Sequence, residues 1–221
     1  MDKPLTERKK LLKQDTFGTI TKVIDGQQLY IERNMQAATP WARPLARWLA
    51  RREARALAML QGRPGFPQLL SISRKTLTRS FVVGEPMYQA KPTDSAYFTD
   101  ALRKVRIMHR CGIAHNDLAK EPNMLVAPDG KAIVVDFQLA SVFQKRTWWF
   151  RLLAREDLRH LLKHKRTYRP NSLTTREKAI LATPAITARI WQATGKRVYL
   201  FVTRRLLNWS DREGAGDRGR R

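Results

Sequence analysis

Three oxygen-bearing side chains, Asp117, Asn123 and Asp136, are spaced so that they could act together. Asp117 lies in His115-Asn116-Asp117-Leu118, and Asn123 in Pro122-Asn123-Met124-Leu125-Val126. Asp136 closes the apolar run Ile133-Val134-Val135 and precedes Phe137. Moving a phosphoryl group onto a hydroxyl needs a carboxylate near the acceptor proton and oxygen ligands for the magnesium ions on the phosphates. In that scheme Asp117 is the base, and Asn123 and Asp136 are the metal ligands. A lone loop aspartate is ordinarily a turn residue. The ordered neighbours are what give Asp117 a chemical reading.

The order His-x-Asp, then a downstream Asn, then Asp-Phe resembles the catalytic loop and metal-binding aspartate of the protein-kinase-like superfamily. The likeness is closest to its small bacterial branches, the RIO-type kinases and the lipopolysaccharide core (Kdo/heptose) kinases. It spans roughly residues 15 to 165, and only the block from His115 to Phe137 is specific. The fold it implies is α+β: a two-lobed minimal protein-kinase-like fold, with a small antiparallel-sheet N-lobe carrying one helix and a mainly helical C-lobe. The cofactors it implies are ATP and Mg²⁺.

The same resemblance implies the remaining site residues. Such kinases end their third strand in a lysine that pairs the nucleotide phosphates, and by order along the chain Arg33 stands there. Arginine grips phosphate with a planar fork and is not equivalent to lysine; Lys22 on the neighbouring strand is the competing candidate. Glu53 stands where a helix glutamate pairs with that cation, with Arg33 as its partner, or else Arg47, Arg51 or Arg52 nearby. The segment Ser80 to Val83, with Ser80, Val82 and Val83, stands where a hinge meets adenine through backbone groups. Lys120 would neutralise the transferring phosphoryl, with simple exposure as its alternative. His115 would bond backbone around Asp136, and Asp157 would brace the catalytic loop.

Several departures shape the expectation. Five residues separate Asp117 from Asn123, one more than is usual in the superfamily, so a bulge fixed by Pro122 must absorb the excess. Gln138 replaces the glycine of Asp-Phe-Gly, and Asn116 replaces the arginine that grips a phosphorylated activation loop. No Ala-Pro-Glu follows, and no Gly-x-Gly-x-x-Gly precedes; Gly18 alone is weak evidence for a phosphate lid. These features argue against activation-loop control and against a large peptide-docking platform.

The elements that must position these groups follow from periodicity. Phe17 to Ile24 and Gln28 to Arg33 flank Asp25-Gly26 as a hairpin. Strand alternation places Leu29, Ile31 and Arg33 on one face. Pro40 to Leu60 is a helix whose stripe is Leu45, Leu49, Glu53, Leu57 and Leu60. Leu69–Ile72 and Leu77–Pro86 are strands. Phe98, Leu102, Val105 and Met108 form the apolar stripe of a helix that stops at Gly112. Pro128 to Lys131 turns a second hairpin that ends in Asp136. By organisation, residues 1–14 are a basic helical lead-in, 15–84 the N-lobe, 85–209 the C-lobe with a helix over Val198 to Trp209, and 210–221 a disordered basic tail.

Composition bounds the partners. Lysine and arginine total 43 against 19 acids, a net charge of +24, which implies a polyanionic partner, nucleic acid or an anionic membrane surface. From Lys145 to Arg169 there are nine Lys or Arg against two acids. Lys145, Arg146, Trp148, Trp149, Phe150 and Arg151 suit a membrane interface or sugar phosphates, base stacking, or plain core packing of the tryptophans. The acceptor expected is anionic, a lipopolysaccharide core sugar, with a serine/threonine protein as the alternative. A catalytically weak binding protein is a third reading. Nucleic acid has no separate motif here. One cysteine, Cys111, excludes an internal disulfide. With neither a signal peptide nor a transmembrane run, the expected location is cytoplasmic, soluble or peripheral to the inner face of the membrane.

Overall fold

The computed structural model describes residues 8–183. The architecture is α+β, and the chain divides into two compact units after Leu173. The first seven residues, the expected helix over Val198 to Trp209 and the basic tail lie outside the described residues.

The first unit opens on a meander of three strands, β1 (Arg8–Asp15), β2 (Gly18–Asp25) and β3 (Gln28–Asn34). Helix α1 (Arg43–Met59) and strands β4 (Leu69–Ile72) and β5 (Thr76–Ser80) follow. They build one antiparallel sheet in the order β1-β2-β3-β5-β4. The described part of the expected helical lead-in, from Arg8 on, is therefore not a helix: Arg8 to Asp15 is an edge strand paired to β2. It has no apolar helical stripe to bury, and all its residues are exposed. The turn into β2 explains Gly18. Its φ is +121°, and a Cβ there would collide with the Asn34 carbonyl, so this glycine serves the sheet. The β2–β3 connection is Gly26-Gln27, since Asp25 faces Gln28 across the hairpin and Gly26 has φ +57°.

Helix α1 buries Glu53, Leu57 and Leu60 of the expected stripe, but nearer its start the buried face is made by Ala46, Ala50 and Ala54. Leu45 is exposed. Alanines let the helix axis approach the sheet closely, where leucines would hold it off. With Met35, Ala38 and Leu77 the alanines form a small core of their own.

Beyond β5 the chain runs through β6 (Glu85–Pro86), α2 (Met87–Ala90), α3 (Ser95–Arg110) and β7 (Ile113–Ala114). Then come β8 (Met124–Val126), β9 (Ala132–Val134), β10 (Ser141–Val142) and α4 (Trp148–Tyr168). Asp94 caps α3, accepting the Ala96 N–H, and Gly112 with φ +73° ends it. Two short ladders result, β6-β8-β9 and β10-β7. A larger core gathers Phe98, Val105 and Met108 of α3 with Met124, Val134, Phe137 and Leu161. Of the second unit, α5 (Thr175–Ala182) is described, opened by a capping box of Thr174 and Glu177. Among the described residues no helix is long and apolar enough to cross a membrane.

Candidate active site

The loop after β7 is held from below. Asp157, buried in α4, accepts the backbone N–H groups of His115 at 2.8 Å and Asn116 at 3.0 Å, and meets His109 Nε2 at 3.2 Å. His115 is itself fully buried and its Nε2 donates to the Val135 carbonyl at 2.9 Å. Its ring packs on Phe137, with centroids 4.8 Å apart. Asn116 takes a left-handed conformation, φ +67°, which asparagine tolerates. Its amide donates to the Leu139 carbonyl and to Ser141 Oγ, so the residue that replaces the arginine ties the loop to the segment after Asp136.

Asp117 projects from this frame with one oxygen engaged. Its Oδ2 faces Lys120 Nζ at 3.1 Å and accepts from Asn123 Nδ2 at 3.1 Å. The extra residue before Asn123 is absorbed by a tight turn. The Lys120 N–H reaches the Asp117 carbonyl, the Asn123 N–H reaches the Lys120 carbonyl, and Glu121–Asn123 form one 3₁₀ turn opened by Pro122. Asn123 Nδ2 also donates to the Asp117 carbonyl at 2.9 Å. The far end of α4 grips the same turn. His164 Nε2 donates to the Leu118 carbonyl at 2.7 Å, and the Tyr168 hydroxyl donates to Glu121 Oε2 at 2.6 Å. Burial pushes the His164 imidazole down from its ordinary pKa, so it stays neutral in this role.

Asn123 and Asp136 become neighbours through the β8–β9 hairpin. Met124 pairs with Val134, and the Val135 N–H donates to the Asn123 carbonyl at 3.0 Å. Asp136 sits at φ +63°, and its Oδ1 accepts from Gln138 Nε2 at 2.8 Å. The other face of that amide, Gln138 Oε1, accepts from Arg33 Nη1 at 2.9 Å. The orientation of the amide follows from chemistry, because an arginine only donates and a carboxylate only accepts.

Arg33, buried at the end of β3, also lies 3.7 Å from Glu53. The shorter ion pair of Glu53 is with Arg79 on β5, at 3.1 Å. Arg47, Arg51 and Arg52 do not pair with Glu53. Arg52 instead donates to the Leu139 and Ala140 carbonyls. Lys22 is turned to the Phe81 ring, 4.1 Å from its centroid.

Ser80 is committed to the sheet. Its N–H donates to the Gln68 carbonyl and its Oγ accepts the Gln68 N–H, so its N–H is not open to a ligand. Val82 and Val83 lie in the unpaired connection to β6, and Val83 borders a cavity of about 460 Å³ between segments 83–86 and 126–128. That cavity is lined by none of the charged site residues. Trp148 and Trp149 are exposed and stacked on each other, 4.2 Å between centroids, so core packing is not their role.

No known family and no curated protein matches this chain. Among the described residues, no group of three or more His, Cys, Asp or Glu side chains is placed to hold a metal by itself. The donor set still fits a magnesium–nucleotide complex. Magnesium binds through one or two protein oxygens with phosphates and water filling the rest; Asp136 Oδ2 and Asn123 Oδ1 are the two oxygens left over by the hydrogen bonds above.

Sequence reasoning missed Arg79 and the bridging role of Gln138. Arg79 lies two residues after the buried Leu77 on β5, hence on the same face, which was a legible signal. Gln138 carried no signal beyond not being glycine.

Proposed function

We propose that this chain is an ATP- and magnesium-dependent phosphotransferase of the protein-kinase-like superfamily acting on a hydroxyl, folded as two lobes with the β1–β5 sheet and α1 as the smaller. The observation that carries the reading is that Asn123 bonds Asp117, its carbonyl holds the Val135 N–H just before Asp136, and Gln138 joins Asp136 to Arg33. The last of these contacts joins residues 105 positions apart, which a structural loop alone does not call for.

When bound, magnesium–ATP supplies the phosphoryl group and the charge neutralisation that its transfer needs. Asn123 and Asp136 would hold the metal. Arg33 would hold phosphate. Lys120 and Asn123 fix Asp117 through Oδ2 and leave Oδ1 to orient the acceptor hydroxyl and take its proton. Lys120, half exposed, can swing toward a phosphoryl oxygen.

The acceptor we propose is an anionic glycolipid of the lipopolysaccharide-core type. The short segment between Asp136 and α4, tied down by Arg52 and Asn116, leaves little room for a peptide platform, and its cationic character suits sugar phosphates.

Radiolabelled ATP incubated in parallel with membranes, lipopolysaccharide and soluble protein tests both levels. Transfer to lipopolysaccharide, abolished in Asp117→Asn and Asp136→Ala, is the expected result. Label in the protein fraction alone replaces the acceptor with a protein, and undiminished turnover in either variant removes the enzyme reading. Failure to bind magnesium–ATP at all would favour the third reading, a catalytically weak binding protein.

A further inference from the structure

All four described tryptophans are exposed: Trp41 by 59%, Trp48 by 49%, Trp148 by 66% and Trp149 by 48%. Tryptophan is ordinarily among the more buried residues, so four of four in water marks a surface waiting for a partner. Trp41, just before α1, and Leu45 and Trp48 within it recur at i, i+4 and i+7 and share one helical face, opposite the alanine face on the sheet. Leu45 is also exposed. The same outer side carries Arg51 and Arg55, both exposed, and the helix's one acid, Glu53, points inward. Arg52 stacks on Trp48, 4.5 Å from the ring centroid, and donates to the Leu139 carbonyl at 2.8 Å, joining exposed Leu139 to the patch. The chain then needs only six residues from Val142 to reach the Trp148–Trp149 pair, at most about 20 Å of backbone.

We propose that the outer face of α1, with Trp41, Leu45 and Trp48 at its centre and Arg51 and Arg55 beside them, docks this protein on an anionic lipid bilayer. Tryptophan rings with aliphatic neighbours settle at the headgroup level, and the arginines pair with lipid phosphates. Nucleic acid fits less well. Stacking on bases uses open ring faces, and one face of Trp48 is already taken by Arg52 and one face each of Trp148 and Trp149 by the other. Leu45 and Leu139 have no use on a base edge. The docking stands apart from the phosphotransfer reading, because it uses none of Asp117, Asn123 or Asp136.

The test is flotation of the full chain with vesicles of equal parts phosphatidylglycerol and phosphatidylcholine, against phosphatidylcholine alone, with tryptophan emission followed in parallel. The expected result is binding to the anionic vesicles only, with a blue shift, weakened by salt. Trp41→Ala/Trp48→Ala and Arg51→Glu/Arg55→Glu should each bind at least about ten-fold more weakly. Circular dichroism confirms that both pairs fold, and Asp117→Asn should bind vesicles like the wild type whether or not phosphotransfer is real. Equal binding by the wild type and both variants overturns the proposal. So does equal binding to neutral vesicles, binding to single-stranded RNA but not to vesicles, or a dimer that the tryptophan variants dissolve while no vesicle binds.

Discussion

Arg33 and Asp136 are held in register by one amide: Gln138 accepts from the first at 2.9 Å and donates to the second at 2.8 Å. A glycine at position 138 would leave Asp136 without this partner, whereas the glutamine couples it to the guanidinium of β3. Gln138→Ala should therefore leave the fold intact, raise the half-saturating magnesium concentration about ten-fold or more, and lower kcat less than Asp136→Ala does. A magnesium titration at saturating ATP checks this, since each lost charge-assisted hydrogen bond is worth about 1.5 kcal/mol or more. An unchanged magnesium dependence would separate Gln138 from the metal site.

Glu53 is buried between two arginines, nearer Arg79 than Arg33. Removing it leaves cations in a dry place, which costs about 3 kcal/mol when a buried pair is broken on one side. Glu53→Ala should lose that much in urea unfolding. Arg79→Ala should destabilise more than Arg33→Ala, while Arg33→Ala should do more harm to nucleotide affinity.

Asp157 satisfies two backbone donors of the loop after β7 at once, the N–H groups of His115 and Asn116. Asp157→Ala strands them, at about 1–3 kcal/mol per unpaired buried group. Hydrogen exchange should show the amides of His115 and Asn116 losing protection ahead of the α3 core.

His160 carries a pH dependence. Burial, helped by the nearby Lys163 charge, pushes its imidazole down from 6.5 to about 4. The folded state therefore prefers the neutral ring and binds fewer protons than the unfolded chain between those values. Stability is whole above pH 6.5 and falls as the pH drops toward 4, by about 2–3 kcal/mol for this group. Melting temperatures across that range should show the decline, and His160→Gln should flatten it.

Alternation and turn chemistry were enough to place the β2–β3 and β8–β9 hairpins, and helical periodicity placed α3 with its stop at Gly112. The spacing of Asp117, Asn123 and Asp136 was likewise a local property. Such features depend on neighbours a few residues away, and the chain states them directly.

Other features depended on which surfaces met. The basic lead-in over residues 1–14 was expected to be helical, but from Arg8 on it is an edge strand, decided by the partner it finds in β2. The stripe of α1 is buried as expected at Glu53, Leu57 and Leu60, but near the helix start Ala46 and Ala50 are buried while Leu45 is exposed, because close packing there selects the smaller side chain. Whether Asn123, one residue late, could still reach Asp117 rested on the 3₁₀ turn held by Tyr168 and His164 from the far end of α4. The choice of Arg79 over Arg47 for Glu53, and the meeting of Arg33 with Gln138 across 105 residues, were settled by the strand order of the sheet and the seat of α1 upon it. Sequence alone determined the groups available for chemistry and their order. Tertiary structure decided which of them touch, because a charge buried by packing takes whatever counter-charge the fold brings within reach.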